Sequence, residues 1–170
     1  VEVPFAPAVQ EQTGFTYANI YWEVKGHPPA PYLVPHFDFH FYFIPEEKVH
    51  GIDCTDRSKP HAVPTGYTLV TENVPHLGEV GACVPAMGMH AAPDTDFNPK
   101  IPWKGSLILG YYNGRLTFFE PMITREFLLR KHSFSLPVPE IAPRPHVRYP
   151  RQFRAIYRPR IGAYDLTFLY

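Results

Sequence analysis

The side chains best suited to chemistry sit in one short segment, Pro35 to Ile44, where His36, Asp38, His40 and Tyr42 share one parity and Phe37, Phe39, Phe41 and Phe43 share the other. On a β-strand, successive side chains alternate faces. One face of this strand is therefore all phenylalanine and the other all titratable, whereas a helix would scatter both sets around its circumference. Neutral imidazoles and carboxylates are zinc ligands, held at about 2.0–2.2 Å from the ion. Strand neighbours at i and i+2 stand about 6.5–7 Å apart, near enough for two rings to converge. His36 and His40, at i and i+4, stand about 13 Å apart and share an ion only if a bulge or strong twist shortens the strand. Otherwise one of the two is a ligand and the other orients it or faces a substrate. Asp38 lies between them and can fix either ring by accepting its N–H; Tyr42 is a further candidate ligand-facing group. His90 and Glu120 complete the candidate metal set, because each ends a segment with no other reason to hold a titratable side chain.

Three readings of this set stand side by side. It is a buried polar cluster that satisfies its own hydrogen bonds, a site for a divalent metal, zinc by donor type, or the polar floor of a pocket for a small organic ligand. Met87 and Met89 beside His90 suit Cu(I), although methionine next to glycine more often fills a core. Glu120 also has an ordinary alternative as an ion-pair partner of Arg115 or Arg125. His50, His61, His76, His132 and His146 fall in loop-like contexts and are expected at the surface. There is no Gly-x-Gly-x-x-Gly, Walker A, His-Glu-x-x-His or Gly-x-Ser-x-Gly motif, so a nucleotide enzyme or serine hydrolase of the usual kind is not expected.

The elements that must position these residues are mostly strands. There are 21 prolines in 170 residues, and proline inside a helix costs about 3 kcal/mol or more, so an all-α fold is excluded. Strands are expected over 15–24, 35–44, 67–72, 79–84, 152–157 and 161–170. A hairpin runs from Ser106 through Asn113-Gly114 to Glu120, with Asn-Gly supplying a type I′ turn. Residues 45–66 and 93–102 read as loops, and 85–90 as irregular. Thr124 caps the one convincing helix, ending near Lys131. The expected fold is mainly β, a single-domain antiparallel barrel or compact sandwich spanning 14–170, preceded by an N-terminal arm over 1–13.

Lys plus Arg equals Asp plus Glu at 16 each, but residues 121–170 hold most of the arginine, including Arg144, Arg148, Arg151, Arg154, Arg158 and Arg160. Without a nucleic-acid motif, that asymmetry reads as self-complementarity between parts of the chain or between subunits rather than a nucleic-acid surface. No apolar run reaches membrane-spanning length. Cys54 and Cys83 form either a disulfide, which requires an oxidising compartment, or two buried thiols. The scarcity of Gln and Asn, with abundant proline, suits a heat-stable protein.

Several segments in order are similar to a known family: Trp22-Glu23, Gly26-His27-Pro28-Pro29, Pro35 to Tyr42, Met87-Gly88 with His90, and Phe119-Glu120-Pro121-Met122-Ile123-Thr124. They resemble exported bacterial β-barrel proteins of unknown function, whose described member is a sigma-E-controlled Thermus protein. The resemblance spans roughly residues 15–170. It implies a barrel-like fold, an extracytoplasmic location after removal of a signal peptide, and a large, ring-like, decamer-like homo-oligomer; it implies no activity. Two expectations for function follow. One is an extracytoplasmic oligomeric module that binds a small or hydrophobic ligand in an envelope or stress-response role, with the all-Phe face needing cover from core or subunit. The other is a zinc-dependent hydrolase or lyase built on His36 or His40 with His90 and Glu120.

Overall fold

The computed structural model describes residues 1–142 and 148–170; Arg144 and His146 lie outside the described residues. Among the described residues, thirteen strands and three short α-helices follow one another. They are β1 (Glu2–Pro4), α1 (Pro7–Thr13), β2 (Tyr17–Glu23), β3 (His36–Tyr42), α2 (Glu46–His50), β4 (Tyr67–Leu69), β5 (Thr71–Val74), β6 (Gly78–Gly81), β7 (Cys83–Val84), β8 (Gly88–Pro93), β9 (Gly105–Tyr112), β10 (Arg115–Thr124), α3 (Arg125–Leu129), β11 (Phe134–Pro137), β12 (Gln152–Arg158) and β13 (Ala163–Leu169). The main sheet is antiparallel and curls into a half-barrel in the order β1-β2-β3-β10-β9-β8-β4, with β7 also paired to β8. A second sheet, β11-β12-β13, and a small ribbon, β5-β6, complete the fold.

The mainly-β architecture follows from the aromatic and β-branched runs, and β3 carries the expected alternation. Its phenylalanine face is covered from within the chain. Phe39 packs with Ile123 on one side and with Phe153 and Ala155 of β12 on the other, joined by Phe37, Phe41, Leu166 and Phe168. Phe15, Leu109 and Phe119 extend this core along the same face. The opposite face, with His36, Asp38, His40 and Tyr42, is also buried.

Local chemistry sets the connections. Asn113 and Gly114 both take positive φ, 48° and 67°, as the expected type I′ turn demands. Thr124 caps α3, its hydroxyl accepting from the Phe127 backbone N–H at 3.2 Å. Cys54 and Cys83 form a disulfide, which ties the 51–66 segment to β7. Local sequence alone predicts no regular structure at α1, α2, β8 or β11. Residues 2–4 pair with β2 as an edge strand, and α1 ends at Gly14 in the left-handed conformation. The expected irregular stretch ending at His90 instead enters β8, a strand held between β9 and the pair β4 and β7. Its Gly-Met-His-Ala-Ala sequence has weak intrinsic strand preference, so its conformation comes from its neighbours.

One irregularity decides what faces the titratable side. In the β9–β10 ladder, Leu116 pairs with Tyr111 but Phe118 pairs with Gly110, which leaves Thr117 as a bulge. An extra residue reverses the alternation beyond it. Leu116 thus shares the core with Phe119, three positions on. Phe118, Glu120, Met122 and Thr124 turn to the other side, level with Tyr42, His40, Asp38 and His36.

Candidate functional site

The titratable face gathers side chains from β2, β3, β8, β9 and β10. The register sets Tyr17, Asn19, Tyr21 and Glu23 beside Tyr42, His40, Asp38 and His36 in turn. On the far side, His90 pairs with Gly110, which pairs with Phe118. Gly110 is required there for space: a Cβ would lie 1.9 Å from the Phe118 ring. With that room, Phe118 lies flat enough over β9 to contact His40, His90 and Tyr42, with ring centroids 4.9, 5.3 and 5.1 Å away.

Two separate constellations result, and they divide the expected set. His40, His90 and Glu120 form the first, their ligand atoms all within 4.8 Å of one another. His40 Nε2 is 3.5 Å from Glu120 Oε1, and His90 Nε2 is 3.7 Å from Glu120 Oε2. His40 and Glu120 are fully enclosed, while the His90 side chain keeps 21% exposure as the opening to solvent. His90 also hydrogen-bonds the Gly88 backbone. His36 does not join them. It meets Asp38 and His27, a residue of the 24–35 loop that the sequence reading did not single out as a ligand. The distance objection to His36 and His40 sharing an ion agrees with this division. His27 escapes a sequence reading because its partners are nine and eleven positions on, across a turn. The signal available was Gly26, whose φ of 71° puts its hydrogens where a Cβ would lie 2.0 Å from the Tyr32 carbonyl, folding the loop back over the sheet.

Electrostatics reflect this burial. Burial in an apolar shell, reinforced by charge on His90, pushes His40 down from its ordinary 6.5 to about 3. Burial likewise brings His90 down to about 4. The Glu120 carboxyl is raised well above its ordinary value, first by burial and then by repulsion from Asp38 and Glu23. Asp38 goes the other way: burial alone would raise it, but hydrogen bonds from His27 and His36 bring it to about 2.

The face is not a self-satisfied network. Five buried polar atoms on it lack a hydrogen-bond partner among the described residues: Tyr17 Oη, His40 Nδ1, His40 Nε2, Tyr42 Oη and Glu120 Oε2. More than nine in ten buried polar groups in native proteins are paired, and leaving one unpaired costs about 1–3 kcal/mol. Tyr17 and Tyr42 stack with ring centroids 4.8 Å apart, yet their hydroxyls find nothing, and burial raises both phenols far above 10. Of these groups, His40 and Glu120 converge with His90, and two imidazoles with a carboxylate suit a divalent cation, zinc before others by donor type. Of the two methionines that suit Cu(I), Met89 is fully buried on the opposite face in the core with Leu109 and Phe119, and Met87 packs against the cluster of Tyr17, Tyr42 and Phe118. Of the histidines expected at the surface, His50, His61, His76 and His132 are exposed. No family model, curated protein or solved structure matches the chain.

Proposed function

We propose that this chain is a divalent-metal-binding β-protein whose curled sheet holds a zinc ion on His40 Nε2, His90 Nε2 and one Glu120 oxygen. The observation that carries the reading is the unpartnered, fully buried His40 imidazole beside an unpartnered Glu120 oxygen. Burial keeps both rings neutral, the protonation state a ligand needs. Glu120 would release its proton to solvent as the ion binds, Phe118 and Tyr42 would wall the site against water, and His90 would border the opening. Elemental analysis of untagged protein after exposure to zinc tests this. Loss of one equivalent of bound zinc in His90→Ala supports it, and less than about a tenth of an equivalent in the unaltered protein overturns it.

A second reading, a zinc-dependent hydrolase or lyase, is favoured by the number of ligands. Three protein donors leave a coordination position open, the pattern of catalytic rather than structural zinc. Bound there, the ion would supply Lewis acidity toward water or a carbonyl. The residues around it would exclude bulk solvent and present the Tyr42 and Tyr17 hydroxyls as spare donors. Ester or lactone turnover that vanishes in Glu120→Gln would favour catalysis over storage or transport.

The proposed setting is extracytoplasmic and the proposed assembly a homo-oligomer, following the resemblance to exported β-barrel proteins. The Cys54–Cys83 bridge fits an oxidising compartment. No helix among the described residues is long and apolar enough to cross a membrane. Self-association is supported by exposed apolar side chains at Trp22, Val24 and Leu129, 42%, 64% and 59% accessible, and by exposed Arg151, Arg154, Arg158 and Arg160. A solution mass near 19.5 kDa would overturn the oligomer.

A further inference from the structure

The second constellation, at the other end of the same face, has a geometry of its own. His36 Nδ1 donates to the Val34 carbonyl at 2.6 Å, and His27 Nδ1 to the Pro28 carbonyl at 2.7 Å. A neutral imidazole carries one N–H. With both Nδ1 protons committed to backbone, each ring when neutral turns a bare Nε2 lone pair inward, and it hydrogen-bonds Asp38 only as an imidazolium. Those two Nε2 atoms are 3.2 Å apart. Asp38 closes the triangle, with Oδ1 3.0 Å from His36 Nε2 and Oδ2 3.4 Å from His27 Nε2.

Three acceptors at such spacing repel one another unless something positive sits among them. A second proton on one ring can be donated to Asp38 but leaves an edge of the triangle unbridged, and one on each ring sets two N–H groups against each other 3.2 Å apart. A cation at the centre serves all three. Ligands about 2.0–2.1 Å from a tetrahedral ion lie about 3.3 Å from each other, which is the size of this triangle. The Nδ1–H bonds to backbone carbonyls are the outer support that metal-bound histidines ordinarily have, fixing tautomer and ring orientation. Packing holds the rings in place as well: His36 meets Trp103 edge-on with centroids 5.1 Å apart, and His27 meets Tyr32 at 6.1 Å. Tyr32 is itself anchored by its hydroxyl donating to Asp96 at 2.7 Å.

We propose that His27, His36 and Asp38 form a second transition-metal site, distinct from His40–His90–Glu120, with its open coordination position facing solvent beside His27. His36 and Asp38 are enclosed, at 0% and 5% side-chain exposure, whereas His27 is at 36%. The ion is therefore reached from the side of the 24–35 loop and exchanges more readily than one held at the enclosed site. Any exogenous ligand it takes is a small anion or water admitted from that side.

Cobalt(II) titration of metal-stripped protein separates the two sites, in a His50→Ala background that removes the exposed Glu2–Glu46–His50 group as a competitor. The expected result is about two equivalents with tetrahedral visible bands, falling to about one in His27→Ala and to about one in His90→Ala. His27 is a loop residue with an exposed ring edge, so its truncation leaves the fold intact, as a thermal melt of the variant checks. Unchanged stoichiometry in His27→Ala overturns the second site. A single equivalent lost only with His90→Ala also overturns it while leaving the first site standing. A single equivalent lost only with His27→Ala supports it and removes the first. No binding at all removes both. Ring ¹⁵N spectra provide an independent readout: zinc should shift the Nε2 resonances of His27 and His36 while their Nδ1–H signals persist, and unshifted Nε2 resonances count against the proposal.

Discussion

His40 is buried at a cost that nothing among the described residues offsets. Both ring nitrogens are unpartnered among the described residues, in a shell of Tyr21, Tyr42, Phe118 and His90. Removing an unsatisfied buried polar group recovers about 1–3 kcal/mol, so His40→Leu should leave metal-free protein equally or more stable by chemical denaturation while abolishing metal uptake at the His40–His90–Glu120 site. A loss of more than about 2 kcal/mol in metal-free protein would mean that the ring is structural. The titration of the same groups gives a second expectation. His40 and His90 are bases held below their ordinary 6.5, so the unfolded chain takes up protons first. Their contribution is whole above pH 6.5 and drains as pH falls toward 4. Glu120, raised above its ordinary 4.5, works in the opposite sense, its contribution declining as pH rises through and beyond that value. With two groups against one, the thermal midpoint of chelator-treated protein should fall between pH 6.5 and 4.5, and His90→Gln should flatten the slope. A midpoint that rises on acidification would contradict the placement of neutral rings.

At the scale of elements, the site depends on two departures from regular pairing, and these mark where the sequence stops being readable. The period-two pattern of β3 announces a strand with a titratable face, and Asn113-Gly114 announces the hairpin; both are local signals. The bulge at Thr117 is not local. It exists only relative to Tyr111 and Gly110 on the partner strand, and it alone turns Glu120 toward His40. β8 is hidden for a similar reason, since Met89-His90-Ala91 becomes a strand by being flanked on both sides. The 24–35 loop hides His27 because its fold-back rests on a tertiary bond from Tyr32 to Asp96. Four of the ligand candidates could thus be named from type and spacing, but not their division into two groups. The close approach at Gly110 gives the test at this scale. Gly110→Ala inserts a methyl 1.9 Å from the Phe118 ring and should cost about 1–3 kcal/mol as overpacking. Because Phe118 leans on both His40 and His90, metal affinity should fall with it, and Phe118→Leu in the same chain should restore part of both. Gly110→Ala with unchanged stability and affinity would show that the ring moves away freely.

For the whole molecule, the half-barrel is enclosed on both faces by its own chain. The second sheet covers the phenylalanine face, so that face does not itself call for a hydrophobic ligand or a subunit. The titratable face is closed by the 24–35 loop, by Trp103 with Tyr32, and by Val49 of α2 against Tyr17, Tyr42 and Phe118. The disulfide closes a loop across 29 positions of sequence, which by chain entropy is worth about 3.5 kcal/mol. Reduction, or Cys54→Ser with Cys83→Ser, should lower unfolding free energy by roughly that amount. Metal stoichiometry should not change, since neither cysteine belongs to either ligand group. Loss of metal on mild reduction would instead place the 51–66 segment in control of the site.

Anomalous diffraction at the zinc edge from crystals grown with zinc tests the central claim most directly. The expected map has a peak about 2.0–2.2 Å from His40 Nε2, His90 Nε2 and a Glu120 oxygen. Crystals in which zinc decorates only surface groups such as His50 with Glu2, while His40 keeps both nitrogens unpartnered, would contradict it.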